Sequence, residues 1–413
     1  MQREGSELYT FIDLFSGGGG MSFGFKAHPA FRPLFAVDAE RGKPSSDNGL
    51  ECNDTFEANI GIPVHRADLC EYTPSALLED AGLKRGQLDV LIACAPCTGF
   101  SRTLRKNHVE DDPRNHLVER MGLFVEALRP AVFVMENARE LLKGNFSYHS
   151  AQLAEHLTRI GYSFSGEIHM LSDYGLPQVR ERAVIFGVRD RARIRTLGDL
   201  WRGFGLRPET VTVRRAISDL PCLDAGQAHP ADPLHVSPRF VSPETLDRLR
   251  AIPRDGGSWY DLLKHPEADR LMIPSMKRSA AAGDFGSHPD VYGRLWWDRP
   301  SVTIKRECAH VGNGRYSHPE QDRQCTVREI SLLNGFPRDY VFVARSLSNK
   351  YRQIGDAVPP LISFQLAHLC CWMLSGKRPQ LSDCLLPGTS LRSSDLMPVQ
   401  HQHDLFDAIE NCA

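Results

Sequence analysis

The chain has 413 residues, 41% hydrophobic and 24% charged, with a net charge of −2. That composition excludes a disordered or fibrous chain and leaves room for one large domain and a smaller one. Charge is unevenly spread: residues 190–353 carry 26 Lys and Arg against 20 Asp and Glu, between acidic ends. A basic middle suits a polyanion, although solvated surface charge explains it equally. The opening Met1–Ser6 has no apolar leader, and the late apolar stretch Ile362–Leu374 is broken by Gln365 and His368 and is too short to span a bilayer. A cytoplasmic protein without a membrane partner is expected.

In chain order, residues 8–15 are an apolar run of strand formers that ends at Ser16-Gly17-Gly18-Gly19-Gly20, with a helix from about Met21 to Ala27. Strand, glycine turn and helix open a nucleotide-type α/β fold. The run lacks the lysine of a phosphate loop, so a nucleoside triphosphate is not expected. A second strand, Leu34–Val37, ends in Asp38-Ala39-Glu40, about twenty positions on, where such folds hold ribose hydroxyls. Residues 41–49 read as a flexible insertion. A helix near Glu51–Asn59 precedes a third strand, Pro63–His65 with Ala67–Leu69, which delivers Asp68.

A fourth strand, Leu88–Ile92, runs into Ala93-Cys94-Ala95-Pro96-Cys97. Pro96 stiffens the turn, so Cys97 is either a presented nucleophile or a small packed hydrophobe. Cys94 and Cys97 form a lone C-x-x-C, and Cys308, His310 and Cys325 match no common ligand spacing, so no metal is expected. A polar loop with Arg102, Arg105, Lys106 and His108 follows, then a helix over His116–Leu128. The fifth strand, Ala131–Met135, ends in Glu136-Asn137, at the same sheet edge as Cys97. A helix over 148–160 carries Leu153, Leu157 and Ile160 on one face. Two strands then flank Asp173–Arg182, the second being Ala183–Val188. Residues 190–300 are rich in Pro, Gly, Arg and His and read as a separate loop-rich unit. Helical pattern returns at Thr326–Phe336, and Gly355–Pro360 opens a last amphipathic helix to about Trp372, followed by a polar tail.

These blocks resemble the DNA (cytosine-5)-methyltransferase family, in the family's order, over about residues 9–189 and 295–375. The run Phe11–Gly20 resembles the S-adenosylmethionine turn, Asp38 the ribose-binding acid and Asp68 the residue that holds the adenine amino group. Pro96-Cys97 with Phe100-Ser101 resembles the nucleophile block, Glu136-Asn137 the Glu-Asn-Val block, and Gln178, Arg180 and Arg182 the Gln-x-Arg-x-Arg block. Arg323–Pro337 and Gly355–Pro360 resemble the closing blocks. Thr98, Ala138 and Asp356 depart from the usual Gln, Val and Asn, and Asp356 adds a negative charge near the expected cofactor.

The resemblance implies a Rossmann-like class I methyltransferase sheet with helices on both faces, plus a smaller target-recognition domain. Residues 1–189 and 354–376 would form the catalytic domain, 190–353 the recognition domain and 377–413 a polar tail. It implies methyl transfer from S-adenosylmethionine to carbon 5 of cytosine in double-stranded DNA, through a Cys97 adduct on a flipped-out base. Glu136, Arg182 and Arg180 would assist. Phe15, Ser16, Gly17, Gly18, Gly19, Asp38, Ala39, Asp68, Leu69, Pro96, Leu117, Asp356 and Ala357 would line the cofactor site. Ser101, Arg102, Arg105 and Lys106 would touch DNA. The expected setting is a bacterial, nucleoid-associated monomer that marks DNA beside a restriction or defence system. Two alternatives stay open: transfer RNA as the acceptor, and a thiol–disulfide protein using Cys94 and Cys97.

Overall fold

The computed structural model describes residues 8–40, 49–96, 111–190, 192–240, 242–283 and 290–399. Its frame is a six-stranded sheet in the order β2-β1-β3-β4-β6-β5. The strands are β1 (Tyr9–Leu14), β2 (Phe31–Val37), β3 (Val90–Ala93), β4 (Val132–Ala138), β5 (Tyr162–Met170) and β6 (Glu181–Arg189). The first four run parallel, whereas β6 is antiparallel to both β4 and β5. All four residues of β3 and all seven of β4 are buried, as a sheet covered on both faces requires.

Side-chain alternation divides the core. Phe11, Val90, Ile92, Val132 and Val134 face α1 (Gly20–Ala27) and the late α14 (Pro360–Ser375). Ile12, Leu14, Leu91, Phe133 and Met135 face the other side, which is covered by α3 (Pro74–Asp80), α4 (His116–Leu128) and α6 (Tyr148–Arg159). α2 (Cys52–Ile60) packs Phe56 and Ile60 with Ala36, and α5 is the short turn Glu140–Lys143. Helices α1 and α14 touch almost backbone to backbone, since a Cβ on Gly24 would lie 2.0 Å from Ser363 Oγ.

The second half of the chain has short elements. They are α7 (Leu197–Trp201), β7 (Phe204–Leu206), α8 (Val213–Ile217), the hairpin β8 (Ala228–His229) and β9 (Asp232–Val236), α9 (Pro243–Ala251), α10 (Ala268–Leu271), α11 (Pro274–Ala281), α12 (Val327–Leu333), α13 (Leu347–Asp356) and β10 (Leu396–Pro398). A third core gathers Val213, Leu295, Trp297, Ile304, Ile330, Phe336, Tyr351 and their neighbours, and a fourth gathers Ile252, Trp259, Leu262 and Tyr292.

Several expectations need correction. The third strand shrinks to one bridge, Val37 with His65, because Pro63 has no N–H to give a ladder. β4 runs on through Glu136 and Asn137 to Ala138, because β6 supplies backbone partners that the sequence of β4 alone does not reveal. Packing also crosses both expected boundaries. Leu197, Leu200 and Trp201 join the first core, as do Leu381, Cys384, Leu385, Leu386 and Leu391 of the tail, and β10 pairs with β7. The block Gly355–Pro360 opens the last helix at Pro360, as expected, and also ends α13 at Asp356. α14 is buried nearly all round rather than amphipathic, with Gln365 satisfied by Trp201 Nε1 at 2.8 Å and Tyr174 O at 2.9 Å.

Candidate active site

The parallel strands carry their C-terminal ends to one edge. β1 ends in a tight turn: Phe15 and Ser16 both donate their N–H to Val37 O, at 2.9 and 3.2 Å. Phe15 has φ 62 and Gly19 φ 90. A non-glycine residue in that region is strained, and such strain collects at functional sites. Asp38, at the end of β2, accepts from Gly17 N at 2.9 Å through one oxygen and from Glu40 N at 2.6 Å through the other. Burial nevertheless pushes its carboxyl above the usual range. Ser16 Oγ is buried and has no hydrogen-bond partner among the described residues. Tyr340 donates its hydroxyl to Gly18 O, and Ala357 Cβ lies 3.1 Å from where a Gly20 Cβ would stand. The glycine run thus touches Asp38 at one end and Ala357 at the other.

Asp356, the residue before Ala357, has its side chain 39% exposed, and Arg306 Nη1 donates to it at 2.6 Å. Desolvation raises its pKa to about 6, with Arg306 opposing the rise. The negative charge that the sequence introduces is thus met by a cation. Asp68 lies half-buried on the neighbouring turn, where its carboxylate accepts from Cys70 N at 2.9 Å. Arg120 of α4 braces this turn by donating to Leu69 O at 2.5 Å and Tyr72 O at 3.1 Å. Leu69 and Leu117 are buried in the second core and Ala39 is exposed.

Cys97 lies outside the described residues, as do Thr98, Phe100, Ser101, Arg102, Arg105, Lys106 and His108. The tether of Cys97 does not. Cys94 donates its N–H to Leu14 O at 3.1 Å and packs against the first core. Ala95 is buried and Pro96 half-buried. Asn137 Nδ2 donates to Ala95 O at 2.9 Å, two residues before Cys97. Next to Asn137 in β4, Glu136 is 8% exposed, and its Oε1 lies 3.0 Å from Arg182 Nε. The register pairs Arg182 with Ala138 and Val184 with Glu136, so the two charges are diagonal neighbours on one face.

Arg180, two residues earlier, is 2% exposed. Its guanidinium donates to Ile304 O at 3.0 Å and Ala357 O at 3.2 Å, which makes it a brace between segments. Gln178 is buried beside it and accepts from Ile304 N at 2.9 Å. Arg306, Tyr340 and Arg120 are supports that sequence reasoning missed. They come from segments distant in sequence, and only the hydrogen-bonding hunger of the turn could have called for them.

A profile of the C-5 cytosine-specific DNA methylases matches residues 9–371. The chain belongs to that family. Methylases of this kind from two bacteria are similar over most of their length. The Type II methyltransferase M1.HphI of Haemophilus parahaemolyticus is 31% identical over 362 residues, covering 87% of this chain and 85% of the relative. The Type II methylase M.HgiDII of Herpetosiphon aurantiacus is 29% identical, covering 84% and 91%. Among solved structures, the Schizosaccharomyces pombe Dnmt2 methyltransferase shares the fold, with a TM-score of 0.51 and 16% identity over 87% of this chain and 98% of that one. The protein is thus a DNA (cytosine-5)-methyltransferase, and methylases of this family take their methyl group from S-adenosylmethionine.

Proposed function

We propose that this methylase modifies cytosine in double-stranded DNA through Cys97, with Glu136 and Arg182 gripping a base drawn out of the helix. The observation that carries this reading is the junction in β4. The Glu136–Arg182 pair, 3.0 Å apart, adjoins Asn137, which holds Ala95 two residues before the thiol.

Cytosine C5 is a weak nucleophile until something adds to C6. The Cys97 thiolate forms a bond to C6, and the ring electrons move to C5. Glu136 shares a proton with N3 and accepts from the exocyclic amine, which offsets charge on the ring. The Arg182 guanidinium holds O2. When bound, S-adenosylmethionine supplies the methyl group that C5 takes. Water takes the C5 proton, the C5–C6 double bond re-forms, and the Cys97 sulfur leaves as thiolate. A base inside a duplex cannot be reached this way, so it must be flipped out. Arg180 positions the neighbouring segments.

The residues fit the cofactor. Ser16 Oγ is a buried group in need of a partner, and the glycine turn leaves its backbone open beside Asp38. Phe15 through Gly19, Asp38, Asp68, Pro96 and the Asp356–Arg306 pair would hold it. Ser101, Arg102, Arg105 and Lys106 would contact phosphates. The third and fourth cores would form the target-recognition domain, with residues 194–206 and 377–399 assigned to the catalytic one. Marking of self DNA beside a restriction system, in the bacterial cytoplasm at the nucleoid and by a monomer, is the setting we favour.

The test uses duplex DNA in which target cytosines carry fluorine at C5, which cannot leave as a proton does. Wild type with S-adenosylmethionine should form a denaturation-resistant adduct and Cys97→Ser none, while Cys94→Ser behaves as wild type. Methyl transfer by Cys97→Ser at the wild-type rate, or transfer to RNA in preference to DNA, would overturn the proposal.

A further inference from the structure

On the face of the sheet covered by α4 and α6, a second constellation forms that methyl transfer does not use. His116 and Glu119 are three residues apart in the first turn of α4 and so share a face. His149 comes from the first turn of α6, which packs alongside. One ligand atom from each lies within 4.8 Å of the other two, and His116 Nδ1 is 3.5 Å from Glu119 Oε2. His149 is fully buried and turns Nδ1 to the Glu119 carboxylate. Its Nε2 faces the Asp111 oxygens at 3.1 and 3.2 Å.

The surroundings orient these groups. Asp111 accepts from Asn115 Nδ2 at 2.7 Å and from the Tyr148 hydroxyl. The Gln152 amide nitrogen, oriented by its neighbours, lies 2.6 and 2.9 Å from the two Glu119 oxygens. Among the described residues, neither Asp111 nor Glu119 pairs with Lys or Arg, and only histidines answer their charge. Two carboxylates around a buried imidazole call for a cation.

We propose that His116, Glu119 and His149 bind a divalent ion of the zinc class, with water in the fourth position. Mixed imidazole and carboxylate donors suit zinc. A ligating histidine usually gives its other ring N–H to a carboxylate, and Asp111 stands where that carboxylate belongs. The exposed His116 gives the ion a way in. The ion ties the first turn of α4 to the first turn of α6. Ligand spacing along the chain did not point here, because His149 lies thirty residues beyond Glu119 and only packing brings them together.

The experiment uses the full chain, stripped with a chelator and titrated with Zn²⁺ against a chromophoric competitor and with Co²⁺ as a spectroscopic probe. One equivalent of Zn²⁺ should bind and raise the Tm, and Co²⁺ should give the visible absorption of a four-coordinate site. His116→Ala removes an exposed ligand without opening the core and should weaken binding by at least about 10-fold, as should Glu119→Gln. Failure to bind one equivalent, or wild-type affinity in both variants, would overturn the proposal and leave a hydrogen-bonded cluster.

Discussion

The central sheet and the region from Val213 to Asp356 are both densely buried, but by different means. In β3 and β4 the side chains are apolar: Val90, Leu91, Ile92, Ala93, Phe133, Val134 and Met135 are wholly inaccessible, and the strand ladder satisfies the backbone. The second region has almost no ladder, and arginines do that work. Arg294 is fully buried and donates to the carbonyls of Leu249, Ile252, His318 and Gln321. Arg315 donates to those of Gly256, Gly257 and Arg294. Arg323 makes two bonds of 2.7 Å to Glu329, which also caps α12 through Thr326. Irregular backbone needs donors from side chains, and a guanidinium carries five. A loop-rich sequence can therefore bury its backbone as fully as a strand-rich one, at the expense of depending on charge.

The Glu136–Arg182 pair breaks this division, since it places the arginine solution inside the sheet. Glu136→Gln should produce the largest change, lowering single-turnover methyl transfer roughly 100-fold or more while folding persists. A loss under threefold would reduce the pair to strand packing. Next comes Glu329→Gln, which leaves Arg323 buried without its counter-charge and should cost about 3–5 kcal/mol in urea unfolding. Arg323 holds the Glu329 carboxyl at about 2, against an ordinary 4.5, although burial opposes it. A lowered carboxylate pKa gives stability that is complete above 4.5 and is lost as pH falls toward 2. The gap between wild type and Glu329→Gln should therefore stay constant from pH 7 to pH 5 and narrow below 4.5.

Leu157→Ala, in the apolar layer under α6, should cost about 3 kcal/mol, with no such narrowing. Acid sensitivity of that cost would blur the contrast. The smallest effect belongs to Asp356→Asn. Arg306 already neutralises this partly exposed carboxylate, so calorimetry should find S-adenosylmethionine affinity changed by less than about 10-fold.

The same contrast explains what the sequence disclosed. The helix over His116–Leu128 was readable to the residue, and β1, β3 and β6 nearly so, because apolar runs and their periods are local signals. Gly17, Asp38, Glu136 and Arg182 stand on one edge, as the strand ends implied. What escaped notice was decided by distant partners. β6 lengthened β4, Tyr174 and Trp201 buried Gln365, and the leucines of the tail found the first core. α3 was announced by Thr73 before Pro74, a cap and a first-turn proline, and was overlooked beside a stronger apolar run.

The close seam between α1 and α14 bears on how the molecule is made. Residues 20–27 and 360–375 are brought together from positions more than 300 residues apart, so one face of the sheet stays bare until α14 has been made. Everything that α14 will cover, from Phe11 to Val134, waits as exposed apolar surface during synthesis. A chain cut short before Pro360 should therefore aggregate rather than fold into a smaller enzyme, and Gly20 can meet Ala357 only after the residues up to α14 have been made.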